Sequence, residues 1–155
     1  MKKILLTQNR VVLVDSDDFE RLSKHKWYYH HTGYAVRNFT DPLTKKRNTV
    51  FLHREVLGVK KGEYIDHINL DKLNCTKLNL RLTTYHLNNH NKNPQKNNTS
   101  GYRGVHLRKD SGKWRAYIVV NRLRHHLGSF IKREDAITAY NNAALKYYGE
   151  YAKLN

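Results

Sequence analysis

Two adjacent residues, Asp66 and His67, have side chains suited to hydrolysis of a phosphodiester. Asn79 follows the histidine by twelve residues, and Asn88 follows Asn79 by nine. The Asp66 carboxylate could bind a divalent cation, His67 could accept a proton from water as a general base, and the two amides could hold both side chains in place. This combination predicts an enzyme that cuts nucleic acid with the help of one divalent ion.

The charge of the chain indicates the kind of partner it binds. Lys and Arg number 29 against 13 Asp and Glu, which gives a formal net charge of +16 over 155 residues. A charge this large on a small protein predicts a polyanionic partner, and nucleic acid is the leading candidate. A basic ribosomal or membrane-surface protein is the alternative. Because 39% of the residues are hydrophobic, disorder throughout is not expected.

Cysteine content and hydropathy indicate the compartment. Cys75 is the single cysteine, so no intramolecular disulfide is possible, and no CxxC pair is present for a structural zinc site. The opening MKKILL resembles a secretory signal, but residues 8–10 interrupt its apolar run. No segment approaches the roughly 20 apolar residues that cross a bilayer. The sequence predicts an intracellular, cytoplasmic protein without a membrane span.

An amide-rich stretch divides the chain. Residues 91–100 contain no apolar residue except Pro94, and we predict a linker at residues 94–100. The predicted parts are a β-rich N-terminal region (1–50), a candidate catalytic segment (51–93) and a C-terminal unit (101–155). Residues 1–93 carry 17 basic and 9 acidic side chains, and residues 94–155 carry 12 and 4. Each part therefore has a net charge of +8, and both are expected to contact the same polyanion.

Local patterns predict an α+β fold. In the N-terminal region we expect a turn or helix through residues 18–22 and short strands at residues 11–14, 27–29, 34–36 and 49–51. In the C-terminal unit we expect three antiparallel strands backed by one helix. The predicted ranges are strands at 102–108, 113–120 and 122–130, tight turns at 110–112 and 121–122, and a helix at 133–148 that Gly149 ends.

The candidate catalytic residues need two strands and a helix to bring them together. A strand that ends in Asp66 and His67 projects one side chain to each face, so a bend must follow if both are to face a phosphate. Residues 69–72 are of types that are common in loops. We predict that a second strand at 80–84 pairs with the first and that a short helix follows at 85–91. Asn88 then lies one turn into this helix, close to Asp66.

Residues 51–93 resemble the HNH nuclease family, specifically its H-N-N subtype, which is common in phage-encoded homing and intron endonucleases. The resemblance rests on these residues: His53-Arg54, Asp66-His67-Ile68-Asn69, Asn79-Leu80-Arg81 and Asn88-Asn89. It implies a ββα-metal motif in which Asp66 and Asn88 bind one Mg²⁺ or Mn²⁺ ion, His67 activates a water and Asn79 fixes the loop. It also implies action on DNA, in a bacterial or phage-infected cell.

Other candidate residues of this segment have two interpretations. His53-Arg54 could contact a phosphate, with Arg54 or Arg81 steadying the charged transition state. Alternatively, the pair lies on a helix where His53 is a packing residue. Cys75 is most simply a small filler, and the remaining histidines show no spacing typical of a zinc site.

In the predicted strand 113–120 one face is apolar and the other is mixed. Trp114, Ala116, Ile118 and Val120 should pack on the helix, because side chains alternate between the faces of a strand. The opposite face carries Arg115, together with arginines from neighbouring strands and turns. These are Arg103, Arg108, Arg122 and Arg124. A basic sheet of this width can enter the major groove of DNA.

The C-terminal segment 100–155 resembles the plant ethylene-response-factor-type domain, also called the AP-two domain, which HNH endonucleases of phages and bacteria carry as a DNA-binding module. The matching motifs include GYRGV at 101–105, GKW at 112–114, LGSF at 127–130 and the closing Asn155. Carried over by position, the groove-facing residues are Arg103, His106, Arg108, Arg115, Tyr117, Val119, Arg124 and His126. Four of them depart from the plant pattern, namely His106, Tyr117, Val119 and His126, so the plant target sequence does not transfer.

Taken together, the sequence predicts a metal-dependent DNA endonuclease that nicks double-stranded DNA as a monomer, without an obligate protein partner. Two alternatives remain. One is a noncatalytic DNA-binding regulator that retains a relic HNH motif, and it predicts salt-sensitive binding without cleavage. The other is an RNA-binding or RNA-cutting protein, although a sheet suited to a wide major groove fits B-form DNA better than A-form RNA.

Overall fold

The computed structural model describes residues 1–60, 62–88, 91 and 98–155. The chain divides into two compact units, Met1–Asn88 (unit one) and Asn89–Asn155 (unit two). Small antiparallel sheets are combined with helices, so the predicted α+β class is confirmed. Most of the predicted linker and the motif residue Asn89 lie outside the described residues. Within the described ranges, no helix is both long and apolar enough to cross a membrane.

The described residues of unit one form three small sheets and short helices. Its elements in chain order are β1 (Lys2–Leu5), β2 (Val11–Val14), α1 (Ser16–Ser23), β3 (Tyr28–Tyr29), β4 (Ala35–Thr40), β5 (Arg47–Phe51), α2 (Leu52–Leu57), β6 (Tyr64–His67), β7 (Leu80–Thr83) and α3 (Tyr85–Asn88). Short 3-10 turns lie at Thr7–Asn9 and Lys77–Asn79. β1 pairs with β2, β3 with β4 and β5, and β6 with β7, all antiparallel.

The N-terminal strands differ in part from the prediction. The strand predicted at 11–14 is confirmed as β2, but the one predicted at 27–29 holds only Tyr28 and Tyr29. Trp27 is instead buried before the strand, where its indole Nε1 donates a hydrogen bond to the Leu22 carbonyl at 2.8 Å. A buried indole needs such an acceptor, and the backbone at the end of α1 supplies it. The next two strands are longer than predicted because they form one hairpin.

The core of unit one fixes the loop between β6 and β7. Val12 and Val14 of β2 are fully buried, as is Leu22 of α1. Cys75, from the loop, is 1% exposed and packs into the same core. The Leu13 amide donates to the Leu73 carbonyl at 2.8 Å, and the Cys75 amide donates to the Leu13 carbonyl at 2.9 Å. The loop that follows Asp66 and His67 is therefore attached to β2.

The described residues of unit two form one antiparallel sheet with one helix. Its elements are β8 (Val105–Leu107), β9 (Trp114–Val120), β10 (Leu123–Phe130), α4 (Arg133–Tyr148) and a 3-10 turn at Gly149–Tyr151. β9 is the central strand, and α4 packs on one face of the sheet. Ala116 and Ile118 are buried with Ala136, Tyr140 and Ala144. The predicted helix and the predicted inner face of the central strand are both confirmed.

The first strand of unit two begins later than predicted, at Val105. Gly104 precedes it with a φ of +61°, and a Cβ built there would lie 2.2 Å from the Tyr117 carbonyl oxygen. The close approach of the two backbones therefore requires glycine at this position and shortens β8. At the β9–β10 turn, Asn121 and Arg122 have φ values of 51° and 68°. Two consecutive left-handed residues match the tight hairpin predicted there.

Candidate active site

The β6–β7 hairpin holds Asp66 and His67. Asp66 lies opposite Arg81, and His67 lies opposite Leu80. Both candidate side chains are buried, at 3% and 5% exposure, although they belong to opposite faces of the hairpin. Asp66 is therefore grouped with the cross-strand arginine, and His67 with the core side of the hairpin.

Asn79 makes hydrogen bonds to three points of the loop that follows His67. Its backbone carbonyl accepts from the Ile68 amide at 2.9 Å, and its side-chain Oδ1 accepts from the Asn69 amide at 3.0 Å. Its Nδ2 donates to the Asn74 carbonyl at 2.7 Å. These bonds close the loop from both ends, so the backbone just after His67 has a defined position.

Asp66 is ion-paired with Arg81. The Nε and Nη2 atoms of Arg81 both donate to the Asp66 Oδ2, at 2.9 and 2.6 Å. The side chains are 12% and 4% exposed, so the pair lies away from bulk water. Because a charge-assisted bond is strongest where water is excluded, the guanidinium fixes the orientation of this carboxylate. From the sequence we predicted that Arg81 contacts DNA. In the structure Arg81 is bonded to Asp66, the candidate metal ligand.

His67 lies in a largely aromatic environment. Its ring centroid is 5.1 Å from that of His53 and 5.8 Å from that of Tyr34, and its Nε2 is 3.9 Å from the Cys75 Sγ. Burial lowers the pKa of His67 to about 4, although the charges of Asp66 and Asp71 act in the opposite direction. The imidazole is therefore neutral at physiological pH and able to accept a proton.

His53 is a second buried histidine beside His67. It lies on α2, in ring contact with Phe51 at 5.6 Å and Tyr34 at 5.0 Å. Burial, with smaller effects of His67 and Arg54, lowers its pKa to about 3. Its Nδ1 has no hydrogen-bond partner among the described residues. Of the two interpretations of His53, its surroundings favour packing.

Arg54 is bound to backbone in this structure. Its Nη1 donates to the Glu63 carbonyl at 2.8 Å, and its Nη2 donates to the Lys60 carbonyl at 2.5 Å. The guanidinium thus holds the segment that precedes β6. Phosphate contact by Arg54 remains a prediction.

Asn88, the other candidate metal ligand, lies at the end of α3. The helix packs against β6, and the rings of Tyr64 and Tyr85 are in contact, with centroids 5.8 Å apart. The Asn88 amide donates to the Thr84 carbonyl at 3.0 Å, and its side chain is half-buried. Within the described residues no three His, Cys, Asp or Glu side chains form a metal-binding cluster. A carboxylate and an amide oxygen are hard donors suited to Mg²⁺, which commonly keeps several waters and takes few protein ligands.

Sequence reasoning missed the aromatic residues around His67. Tyr34 and Phe51 were expected in strands, and although Phe51 begins the candidate catalytic segment, neither was predicted to contact His67 or His53. Tyr34 contacts both histidines, and Lys72 lies over its ring at 4.7 Å while its Nζ donates to the Thr32 carbonyl at 2.9 Å. No local pattern relates these positions, because their contacts arise from the packing of separate elements.

The outer face of the sheet in unit two carries several candidate DNA-binding residues. His106 is paired with Arg115, His126 with Tyr117, and Arg124 with Val119. The Arg124 guanidinium lies 4.5 Å from the Tyr117 ring centroid, and the ring of His106 contacts the same tyrosine at 5.6 Å. Burial lowers the pKa of His106, and the charges of Arg115, Arg124 and Arg108 and the proximity of His126 act in the same direction. The predicted basic residues are therefore close together on one face.

Three further arginines of the predicted set lie at the borders of this sheet. Arg108 is ion-paired with Asp110 in the turn after β8. The backbone of Arg103 is clamped by Asn155, which accepts from its amide at 2.7 Å and donates to its carbonyl at 3.0 Å. Arg122 is exposed in the β9–β10 turn. Only part of the predicted arginine set therefore belongs to the strands themselves.

Comparison with known proteins identifies the family. No protein-family model matches the chain. The chain is 32% identical over 144 residues to an uncharacterized HNH endonuclease of Acanthamoeba polyphaga mimivirus, covering 92% of this chain and 73% of that protein. It is also 37% identical over 96 residues to Protein 3.8 of Escherichia phage T7, covering 62% of this chain and 78% of that protein. The chain belongs to the HNH endonuclease family.

Proposed function

We propose that this chain is a metal-dependent endonuclease of the H-N-N subtype that hydrolyses phosphodiester bonds of double-stranded DNA. The observation that carries the proposal is the buried Asp66–His67 pair, followed by a loop that Asn79 fixes with three hydrogen bonds. In-line attack by water requires a base and a metal-binding carboxylate at defined positions, and burial and these bonds define both, although the two side chains leave opposite faces of the hairpin. One such site per chain cuts one strand at a time, so the monomer nicks.

His67 and Asn79 have distinct roles in this mechanism. His67 is neutral because burial lowers its pKa to about 4, so a ring nitrogen takes the proton of the attacking water. Asn79 touches no reacting atom in this scheme and acts as a positioning residue for the backbone after His67. Arg81 orients the Asp66 carboxylate through its two bonds to Oδ2.

Asp66 and Asn88 are the residues that would hold one Mg²⁺ or Mn²⁺ ion. Their oxygen donors fit a hard cation, and α3 packs directly against β6, which carries Asp66. When bound, the ion would supply positive charge against the charge that develops on the phosphate and the leaving oxygen. The Arg81–Asp66 contact is compatible with this role, because ligating carboxylates are commonly held by a further hydrogen bond.

Unit two is proposed as a module of the ethylene-response-factor type that binds double-stranded DNA. The support is the outer face of its sheet, where Arg115, Arg124 and His106 surround Tyr117. A sheet of this kind can enter the major groove, where side chains reach base edges. The departures from the plant pattern at His106, Tyr117, Val119 and His126 imply a different target sequence.

The test is relaxation of supercoiled plasmid carrying random inserts, with Mg²⁺, with Mn²⁺ and with EDTA. Wild type is compared with His67→Ala and with His25→Ala, a control that removes a more exposed histidine outside the set of candidate site residues. Open circles that require both the metal and His67 support the proposal. Cutting that persists in His67→Ala would contradict it.

A noncatalytic regulator is the second candidate, and the Arg81–Asp66 ion pair is the observation that favours it. An arginine can replace a metal ion as the partner of a buried carboxylate and keep the fold while abolishing cleavage. This candidate predicts salt-sensitive DNA binding by wild type, with no metal-dependent open circles on any insert. Isothermal titration with Mn²⁺ separates the two, since only the endonuclease requires a metal site that Asp66→Ala removes.

A further inference from the structure

The outer part of the β4–β5 hairpin has only two strands. β3 pairs with β4 at Val36 and Ala35 alone, near the start of β4. The following four pairs, from Arg37↔Val50 to Thr40↔Arg47, lie beyond Tyr28, the first residue of β3. Within the described residues no third strand pairs with them. We call this segment, residues 37–50, the ribbon.

Beyond the half-buried pair of Arg37 and Val50, both faces of the ribbon are exposed to solvent. Neighbouring side chains on a strand point to opposite faces, so a ribbon that covers a core has one buried face. Here consecutive residues of both strands are exposed, namely Asn38, Phe39, Thr40, Arg47, Asn48 and Thr49. Phe39 itself is 44% exposed, and none of these six residues belongs to the hydrophobic core of unit one. Packing on unit one therefore does not explain the part of the ribbon beyond Arg37 and Val50.

The tip of the ribbon is basic. Lys45, Lys46 and Arg47 are consecutive and exposed, and within the described part of the chain they form no ion pair. Asp41 is the one acidic residue of the ribbon, and its carboxylate accepts bonds from the Leu43 and Thr44 amides at 2.8 and 3.0 Å. That acid shapes the turn, and the three cations remain available to an anionic partner.

The root of the ribbon adjoins the candidate active site. β5 ends at Phe51, whose ring contacts His53, and His53 in turn contacts His67. From Phe51 to Arg47 the strand advances about 13 Å, at roughly 3.3 Å per residue. At about 3.4 Å per base pair, this length corresponds to about four base pairs of DNA. Both ends of β5 lie in unit one, so the fold of this unit fixes the distance between Phe51 and Arg47.

We propose that the ribbon is a DNA-binding arm of unit one, which lies in the major groove beside the cleaved phosphate. This inference rests on the proposed DNA substrate. A two-stranded β-ribbon fits the major groove of B-form DNA, whereas that of A-form RNA is too narrow for it. Lys45, Lys46 and Arg47 contact phosphates, and the amide of Asn48 faces base edges. The DNA contact proposed for unit two involves other residues and does not depend on this arm.

The experiment compares two triple variants that lose the same charge. The test variant is Lys45→Ala/Lys46→Ala/Arg47→Ala, and the control is Lys3→Ala/Lys24→Ala/Lys26→Ala, three exposed lysines elsewhere in unit one. Binding to a duplex is measured by fluorescence anisotropy across a range of salt concentrations. Each lost phosphate contact lowers the slope of log K against log salt by about 0.9, so the test variant should lose about 2 to 3 units of slope. The control should keep most of the wild-type slope.

Thermal melts that match wild type establish that both variants are folded, which is expected for exposed side chains. Suppose that wild type binds the duplex and the slope of log K against log salt falls no more in the test variant than in the control. The proposal that the ribbon binds DNA is then wrong, and the proposed function is unaffected. If wild type binds no duplex DNA, or binds A-form RNA more tightly, the proposed function and the arm both fail. Nicking by the test variant at saturating protein should equal that of wild type, because the arm carries no reacting group.

Discussion

At the scale of single residues, the site places a carboxylate beside an arginine and keeps a histidine neutral. Asp66 receives two bonds from Arg81, and burial lowers the pKa of His67 to about 4. Both features follow from the exclusion of water, which strengthens the ion pair and disfavours a charged imidazole. The two residues are adjacent in the chain, yet the hairpin gives them separate environments.

Removal of Arg81 tests whether the buried Asp66 carboxylate needs a nearby cation for the protein to be stable. Arg81→Ala should lower the free energy of unfolding by about 3–5 kcal/mol, because it leaves a buried carboxylate without its guanidinium. Mg²⁺ should then raise the Tm of Arg81→Ala by more than that of wild type, since the ion takes the place of the lost charge. Urea unfolding and thermal melts with Mg²⁺ or EDTA measure both effects. Equal Mg²⁺ shifts in the two proteins would argue against a metal site at Asp66.

The buried His53 should make the protein sensitive to acid. Its folded pKa of about 3 lies below the value of about 6.5 for an exposed histidine, so between these values the unfolded chain binds the extra proton. Its contribution to stability is complete above about pH 6.5 and is lost as the pH falls towards 3. His53→Phe, which keeps a ring, should reduce the slope of unfolding free energy against pH by about 1.4 kcal/mol per pH unit near pH 5. Denaturant titrations across this range test it, and an unchanged slope would contradict it.

At the scale of elements, close backbone contacts determine where strands begin and end. The loop after β6 is attached to β2 through Leu13, and this attachment positions the residues that follow His67. In unit two the backbone at Gly104 lies against β9, and the Tyr117 amide donates to the Gly104 carbonyl at 2.8 Å. These contacts are specific to the fold and are independent of side-chain periodicity.

A methyl group at Gly104 should disrupt unit two. Gly104→Ala should cost about 3 kcal/mol or more, because the added Cβ would overlap the Tyr117 carbonyl and the ring of Tyr140 in a left-handed backbone. Gly112→Ala is the matched control, with a φ of +65° and no atom within 4 Å of the new Cβ. It should cost only about 1–2 kcal/mol for its backbone conformation. Thermal unfolding compares the two, and equal losses would show that the close approach is unimportant.

At the scale of the whole molecule, the proposed function assigns cutting to unit one and a large part of DNA binding to unit two. Residues 1–93 and 94–155 carry the same net charge of +8, so both are expected to add to DNA affinity. The candidate catalytic side chains all belong to unit one, and the basic sheet face belongs to unit two. Cutting and binding should therefore respond to different substitutions.

Asp66→Ala and Arg115→Ala should separate these two functions. Asp66→Ala should abolish metal-supported nicking while duplex affinity is largely kept. Arg115→Ala should weaken duplex binding by roughly tenfold, in the range of 1–3 kcal/mol for one arginine contact, and should still nick at saturating protein. Anisotropy titrations and plasmid relaxation measure the two properties. Equal loss of binding in Asp66→Ala would contradict this division of labour.

The sequence by itself determined the elements with a strong local signal. The helix Arg133–Tyr148 was predicted at its observed bounds, because its apolar residues recur every three to four positions. The alternation within β9 predicted which face packs on that helix, and the Asp66-His67 motif led to the family that the mimivirus relative shows. These features depend on neighbouring residues, so a single sequence contains them.

Only the tertiary structure decided which distant residues meet. The Asp66–Arg81 ion pair, the contact of His53 with His67 and the burial of Trp27 join positions without a shared local pattern. The start of β8 and the free length of the ribbon likewise depend on which strands pair. Hydrophobic burial and strand pairing bring separate elements together, and the environment that sets charge and pKa at the site arises only from that packing.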